Sequence, residues 1–443
     1  MLLKIQLAKF PSVIGHATSR INRLYNEDTY SIRMLKLPTV EQEFLLSKSL
    51  ENHTHPSNIT DYRSVLNLSV FDGHGSNRVS KLLADRLHDE VAKGFASLED
   101  FEGLLKDYTR MIGGKYWEKL YENRSTFYER FIKNCNTKKE HVLYGSNPSG
   151  SRMIFDKYGN IIDKTSLLSE HERLRIYYSF LKFDLLTCCG FEDSPKMSFP
   201  ERIESYTGGS TASSIFISSY TQEDNIFNES FFVDPNGLLK LVVTQVGDCK
   251  IILCDSNGIA HSITKIHSAS STRESKRLTD SEDISPIETD SFGDVRFLNN
   301  FANTRSFGDL TGKPDGLSSE PDIYSYLIGS TKTLPHSEKS KLQFGGDECC
   351  IVMVTDGVAN LMADQEIVDL ITSTVNLRGL KKSTPQFCAE EVIQYISAVA
   401  GKRADNATCL VLRLPNWGNW PDIDRSGAIR EQKLMESSQT APK

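Results

Sequence analysis

No stretch of this 443-residue chain approaches the roughly 18 consecutive apolar residues of a membrane-spanning helix, so no transmembrane segment is expected. Basic charge is not in excess either. Lys and Arg number 51 against 58 Asp and Glu, a formal net charge of −7, and no nucleic-acid partner is expected, since broad affinity of that kind needs clustered cations. CxxC pairs are missing, and the nine cysteines are odd in number with two adjacent pairs, Cys188-Cys189 and Cys349-Cys350. They read as reduced thiols in a reducing or organellar interior rather than a disulfide framework. No Cys/His cluster offers a tetrahedral zinc site. Internal repeats and heptads are lacking. Acids are lacking before Glu27, where Lys4, Lys9, Arg20 and Arg23 stand among Leu2, Leu3, Ile5, Leu7 and Phe10. Such a basic, partly amphipathic start has the character of a mitochondrial transit peptide, the alternative being a first strand that happens to have no acids. A targeting segment would be confined to residues 1–12. The location expected is mitochondrial, with cytoplasmic as the alternative.

What is present fits one large or two ordinary domains. Leu66, Leu68 and Val70 alternate with small or polar residues and lead into Phe71, the pattern of a strand with one buried face. The strand stops at Asp72-Gly73-His74-Gly75, and Val79, Leu82, Leu83, Leu87, Val91 and Phe95 follow at helical spacing. Earlier strands are expected over Ser12–Ala17 and Asp28–Met34, with a polar loop from Glu41 to Tyr62 in which His53 and His55 read as loop residues. Residues 97–205 read as a mostly helical insertion, with helices over Leu98–Met111, Tyr116–Cys135 and Ser166–Thr187 and a turn at Tyr158-Gly159-Asn160. Strands return at Ser213–Ser218, Leu238–Val246 and Lys250–Cys254, with a hairpin turn at Asp255-Ser256-Asn257-Gly258. Ser268 to Ser291 reads as polar and mobile. A strand over Asp347–Thr355 ends at Asp356-Gly357, and a helix follows Met362. Another helix starts at Thr384-Pro385, with Thr as cap and Pro in the first position. The last strand is Ala407–Leu414. In the tail, 415–443, Trp417 and Trp420 are expected to pack back and the remainder to be loose. This order favours an α+β arrangement, two sheets sandwiched between helices.

Three further acidic sites share the character of Asp72. Glu27-Asp28 head the second strand, Asp356-Gly357 repeat the strand-then-Asp-Gly pattern, and Asp405-Asn406 precede the last strand. Acids at strand ends can converge on one edge of a sheet. Two divalent cations about 3.5–4 Å apart need such a cluster, with one carboxylate between them. Oxygen donors of this kind suit Mg²⁺ and Mn²⁺. Taken singly each motif is weak, since Asp-Gly is common in solvated turns.

Together they are specific. Eight motifs stand in order: Arg23-Leu24-Tyr25-Asn26-Glu27-Asp28, Val70-Phe71-Asp72-Gly73-His74-Gly75, Gly208-Gly209-Ser210-Thr211-Ala212, Val246-Gly247-Asp248-Cys249-Lys250, Thr304-Arg305-Ser306-Phe307-Gly308-Asp309, Glu320-Pro321-Asp322-Ile323, Val354-Thr355-Asp356-Gly357 and Ala404-Asp405-Asn406-Ala407-Thr408. In these the sequence resembles the metal-dependent protein phosphatases of the protein phosphatase 2C type, and the basic start, the long helical insertion and the stretch Gly15 to Asp28 resemble the fungal mitochondrial branch.

The resemblance implies a central β-sandwich of two antiparallel sheets flanked by α-helices, a catalytic domain over 13–414, and a binuclear Mg²⁺ or Mn²⁺ centre. Asp72 would bridge both ions and Gly73 would give its carbonyl. Glu27 would complete one shell, Asp356 and Asp405 the other, and Asp28 would act through water. Arg23 would hold the phosphate, which a guanidinium does bidentately. His74 would be the general acid for the serine or threonine leaving group. The attacking species would be a metal-bridging hydroxide, acting in line without a covalent intermediate. Gly208–Ala212 and Arg305–Asp309 would be structural, Asp309 capping a turn beneath the site.

The match departs in three places. Asn360 stands where family members often carry an acid for a third metal, with Ala359 where Trp is common. Asp248 remains as the other candidate ligand, so a third ion is expected to be weak or absent. The family's Asp-His-Lys-Pro loop is reduced to Lys265-Ile266-His267-Ser268, leaving His267 structural or substrate-proximal. The 97–205 block exceeds the family's usual helical hairpin and offers a place for a partner. The reaction expected is hydrolysis of phosphoserine and phosphothreonine in mitochondrial phosphoproteins, the pyruvate dehydrogenase complex being a candidate. The alternative is a pseudophosphatase or scaffold that binds phosphoproteins without efficient turnover.

Overall fold

Strand residues that alternate between two different apolar cores set the architecture. In the computed structural model, which describes residues 6–39, 62–93, 95–133, 153–155, 161–163, 167–220, 229–279, 287–289, 295–332, 342–402 and 404–440, thirteen strands carry the site or its supports: β1 Ile14–Ser19, β2 Thr29–Pro38, β3 Tyr62–Phe71, β4 Gly73–His74, β5 Gly209–Ser210, β6 Ala212–Ser219, β7 Leu238–Val246, β8 Lys250–Cys254, β9 Ala260–Ser262, β10 Phe307–Gly308, β11 Asp322–Gly329, β12 Cys350–Val354 and β13 Ala407–Arg413. Two five-stranded antiparallel sheets run β11-β7-β6-β3-β2 and β1-β13-β12-β8-β9, and a small sheet runs β10-β5-β4. Leu66, Leu68 and Val70 of β3, Leu239, Leu241 and Val243 of β7, Ile351 and Met353 of β12, and Leu410 and Leu412 of β13 fill the space between the large sheets. The alternate residues, such as Val65 and Phe71 or Val352 and Val354, face helices outside. This is the expected α+β sandwich, with side chains of both inner faces forming the central layer.

Helices cover both outer faces. On the first sheet lie α1 (78–93), α2 Leu98–Met111, α3 Lys115–Glu122 and α4 Glu170–Phe183; Val79, Leu83, Phe101, Tyr108, Trp117 and Phe180 share one core there. Capping boxes start α2 at Ser97/Asp100 and α4 at Ser169/Glu172, each satisfying orphan backbone donors from both sides. The helical block after residue 97 is therefore continuous with the main core. Trp117 stacks on Tyr108 at 4.0 Å and its indole N–H donates to Lys313 O at 2.7 Å. The single helix expected over Tyr116–Cys135 is broken at Asn123, between α3 and the stretch 124–133. Of the other expectations, His53, His55 and the turn at 158–160 lie outside the described residues.

Two polar stretches are more ordered than their composition suggests. Within the segment read as mobile, α5 Thr272–Thr279 is a helix. It has no long apolar stripe; buried Glu274 accepts from Arg305, Arg277 and Thr304 instead, an ion-pair network that hydrophobic periodicity does not register. On the second sheet, α6 Asp364–Arg378 and α7 Pro385–Val399 cover the outer face. The tail read as loose forms α8 Gly427–Thr440. It docks through Lys433 on Glu366 (2.8 Å) and through Arg430, whose carbonyl accepts from Tyr395 OH. At the other terminus, Leu7 and Phe10 pack against the sandwich core, so the folded body reaches back to Leu7. No helix among the described residues is long and apolar enough to cross a membrane.

Strand register brings the acids together. Thr29 pairs with Phe71, placing Asp28 beside Asp72 at one end of the first sheet. In the second sheet Val354 pairs with both Lys250 and Cys409, so Asp356, Asp248 and Asp405 emerge near the same end.

Candidate active site at the acidic edge of the sandwich

Two glycines allow the loops of this edge to close. A Cβ on Gly357 would sit 1.8 Å from Asn406 O, and one on Gly73 would sit 2.4 Å from Glu27 O. Only glycine tolerates such approach of one backbone to another. The Gly73 contact is fastened by Ser80, whose hydroxyl donates to Glu27 O at 2.6 Å.

Asn406, buried at the foot of β13, ties the first loop down. Its Oδ1 accepts Glu27 N–H at 2.8 Å, and its Nδ2 donates to Tyr25 O at 2.9 Å and Arg20 O at 3.2 Å. This latch was not identified from sequence, although Asn406 lies inside a quoted motif. An Asn flanked by an acid and an apolar strand gives no sign of which distant backbone it holds.

The carboxylates follow. Asp72 accepts Asp356 N–H on Oδ2 at 3.4 Å, while its own carbonyl accepts Thr211 N–H at 2.9 Å. Asp28 is buried and accepts Thr355 and Thr408 hydroxyls on Oδ2 at 2.8 and 2.9 Å; its Oδ1 has no partner among the described residues. Asp405 receives Arg23 Nη2 at 2.7 Å. Asp356 takes the amide of Asn360 on Oδ2 at 3.2 Å. Burial, then the charges of Asp356, Asp28 and Asp248, push Asp72 well above the ordinary carboxylate range. Burial and the charge of Asp356 raise Asp248 to about 7. Burial raises Asp28 to about 7, with the charges of Asp356 and Asp405 adding to it against the two threonine hydrogen bonds. Burial also raises Asp356, with Asp405 adding.

These groups are in one electrostatic neighbourhood, as the motif order led one to expect. Among the described residues no three His, Cys, Asp or Glu are already closed into a metal-holding set; the acids share an edge rather than a finished cage. The donor chemistry nonetheless fits a hard divalent cation. The donors are carboxylates and a carbonyl without sulfur, and four carboxyls repel one another where Arg23 pairs with Asp405 instead of with them.

His74 stands at the rim with its ring partly in solvent. Nε2 lies 2.7 Å from Asp309 Oδ2, and Asp309 is buried and accepts Ser306 Oγ–H on the same oxygen. Burial lowers the His74 pKa, but the charge and hydrogen bond of Asp309, with Asp248 and Glu27, outweigh it, and the net shift is upward. Asp309 was expected to cap a turn. Its side chain caps nothing; it adopts a left-handed backbone (φ 50°) that turns the carboxylate under the imidazole. Gly209 makes the room, since a Cβ there would lie 2.2 Å from Asp309 Oδ2. The Gly208–Ala212 motif is thus structural, as expected. Beneath it, Asp184 accepts Gly308 N–H at 2.7 Å and pairs with Lys313 at 2.6 Å, both side chains fully buried.

His267 belongs to the support, not to the site. Nδ1 accepts Gly247 N–H at 3.1 Å and Nε2 donates to Asp322 at 3.0 Å. Burial first, then Arg305, lowers its pKa to about 4.

The chain is similar to known proteins along most of its length. The family model described as Protein phosphatase 2C matches residues 109–406, a span that holds Asp248, Asp309, Asp356 and Asp405, while Glu27, Asp72 and His74 precede it. The chain is 26% identical over 434 residues to Protein phosphatase 2C homolog 4 of Schizosaccharomyces pombe, covering 97% of this chain and 88% of that one. It is 29% identical over 180 residues to Protein phosphatase 1K, mitochondrial, of Xenopus laevis, 41% of each chain. The crystal structure of a phosphatase from a pathogenic strain of Toxoplasma gondii superposes with a TM-score of 0.50 at 14% identity, covering 91% of this chain and 95% of that one, and shares the fold.

Proposed function

Because the chain belongs to the protein phosphatase 2C family and is a protein serine/threonine phosphatase, we propose that it hydrolyses phosphoserine and phosphothreonine at the acidic edge, in a Mg²⁺- or Mn²⁺-dependent reaction. The observation that carries this reading is the gathering of Asp28, Asp72, Asp248 and Asp356, all raised by burial, with the Asp405 charge acting on Asp28 and Asp356 and the Glu27 backbone packed against Gly73. Asp72, Gly73, Glu27, Asp356 and Asp405 would hold two cations directly, with Asp28 behind them through water. Bound there, such ions acidify a water molecule and neutralise phosphate charge.

The chain's own residues do the rest. Arg23 is half exposed and its bond to Asp405 is a surface ion pair, worth about 0–1 kcal/mol. It can therefore exchange the carboxylate for a substrate phosphate. His74 holds one proton on Nε2 against Asp309, so the proton delivered to the serine or threonine oxygen leaves from Nδ1. The Asn360 amide donates to Asp356 and adds no charge, so the proposed centre takes two ions, with Asp248 short of a partner for a third.

We place the substrates in mitochondria. The likeness to Protein phosphatase 1K, mitochondrial, supports this; phosphorylated pyruvate dehydrogenase complex is a candidate. Fractionation of cells carrying the tagged full-length protein tests the location. For the activity, purified protein with Mn²⁺ and a phosphopeptide should release phosphate, and Asp72→Asn should reduce release to background. Equal release from the two proteins would refute the site.

A further inference from the structure

Beside Arg23 the loop exposes two large apolar side chains, Leu24 at 83% and Tyr25 at 76%. They are not loose residues that happen to lie outside. The backbone around them is pinned at five points. Asn406 Nδ2 donates to Tyr25 O and Arg20 O, Arg20 Nη1 donates to Arg23 O at 2.8 Å, Asn22 Nδ2 donates to Gly401 O at 2.8 Å, and Ile21 N–H is held by Ser19 Oγ at 3.1 Å with a left-handed backbone (φ 47°). A fixed backbone that turns two apolar side chains into water forgoes the burial each would gain in the core. It also presents them without further ordering cost when something covers them.

We propose that Leu24 and Tyr25 form a shelf that receives a bulky apolar or aromatic side chain close to the phosphorylated residue of the substrate, and so set sequence preference. The inference rests on Arg23 being the phosphate anchor. With phosphate at Arg23, a substrate chain advances at most about 3.3–3.6 Å per residue, and Leu24 and Tyr25 are the next two residues of the enzyme's own chain. A substrate running from Arg23 toward Leu24 and Tyr25 brings the positions one to three residues from the phosphoserine within reach of the shelf. The contact is apolar: Tyr25 offers a ring face and Leu24 an aliphatic edge, while neither brings charge.

The test uses two phosphoserine peptides, identical except for Leu and Phe or Ser and Ser at the flanking positions, with the full-length protein and Mn²⁺. Wild type should favour the apolar peptide by about ten-fold or more in kcat/KM, mainly through KM. In Leu24→Ser/Tyr25→Ser the ratio should fall toward one. Because the ratio is taken within each protein, any loss of active fraction cancels. An unchanged ratio in the variant, or no preference in wild type, overturns the shelf while leaving the phosphatase reading intact. No phosphate from either peptide with wild type overturns both.

Discussion

Asp309 is the residue whose role differs most from its appearance in sequence. Histidine serves as a general acid in its doubly protonated, charged form, and the Asp309 carboxylate under Nε2 favours that form. Asp309→Asn keeps the shape and removes the charge. General acid catalysis is worth about 10²–10⁴-fold, so kcat on a phosphoserine peptide should fall by about ten-fold or more. With p-nitrophenyl phosphate, whose leaving group departs without a proton, the loss should be small. Equal losses on both substrates would show that Asp309 only supports the fold. His267 yields a stability prediction. Its folded pKa of about 4 lies below the ordinary His value of 6.5, so the unfolded chain takes up a proton first as pH falls. The stabilisation is complete above pH 6.5 and is lost on acidification toward pH 4, by about 3 kcal/mol in all. The physical cause is burial of the ring, then the Arg305 charge beside it; protonation of Nδ1 would also end its acceptance of Gly247 N–H. Thermal unfolding between pH 7 and 4.5 should show a shallower decline in His267→Gln than in wild type.

At the scale of elements, the active edge is held from below by the helical block. Asp184, at the end of α4, joins Lys313, Gly308 N–H and Tyr108 OH in one buried cluster, and Gly308 precedes Asp309. Removing one partner of a buried ion pair leaves the other charge unmet and costs about 3–5 kcal/mol. Lys313→Met should lower unfolding free energy by about that amount in chemical denaturation, whereas a loss under 1 kcal/mol would show the pair to be dispensable. The elements themselves were legible where apolar spacing carried them. Leu66, Leu68 and Val70 do face the central core, and Thr384-Pro385 does start a helix. The failures share a cause. Helix α5 and helix α8 are fastened by charges, through Glu274 with Arg305 and Lys433 with Glu366, and a charged residue looks the same in sequence whether it is solvated or buried in a network. Asn406 and Asp309 escaped for the same reason: their quoted motifs marked the place, but the partners lie 379 and 235 residues away.

For the whole molecule, the sandwich brings acids from five separated segments to one end, and folding therefore places like charges close together. A cation that binds only the folded state should relieve that repulsion and stabilise it, by about 2.7 kcal/mol at a hundred times its dissociation constant. Titration of Mn²⁺ or Mg²⁺ should raise the unfolding temperature of wild type, with a much smaller rise in Asp72→Asn. The central claim concerns what that edge does. The most direct measurement is phosphate release from a phosphoserine peptide by wild type and Asp72→Asn, each with Mn²⁺ and after chelation. Turnover only in wild type with Mn²⁺, restored when the metal is returned after chelation, is the result predicted. Turnover that survives both chelation and Asp72→Asn would contradict it.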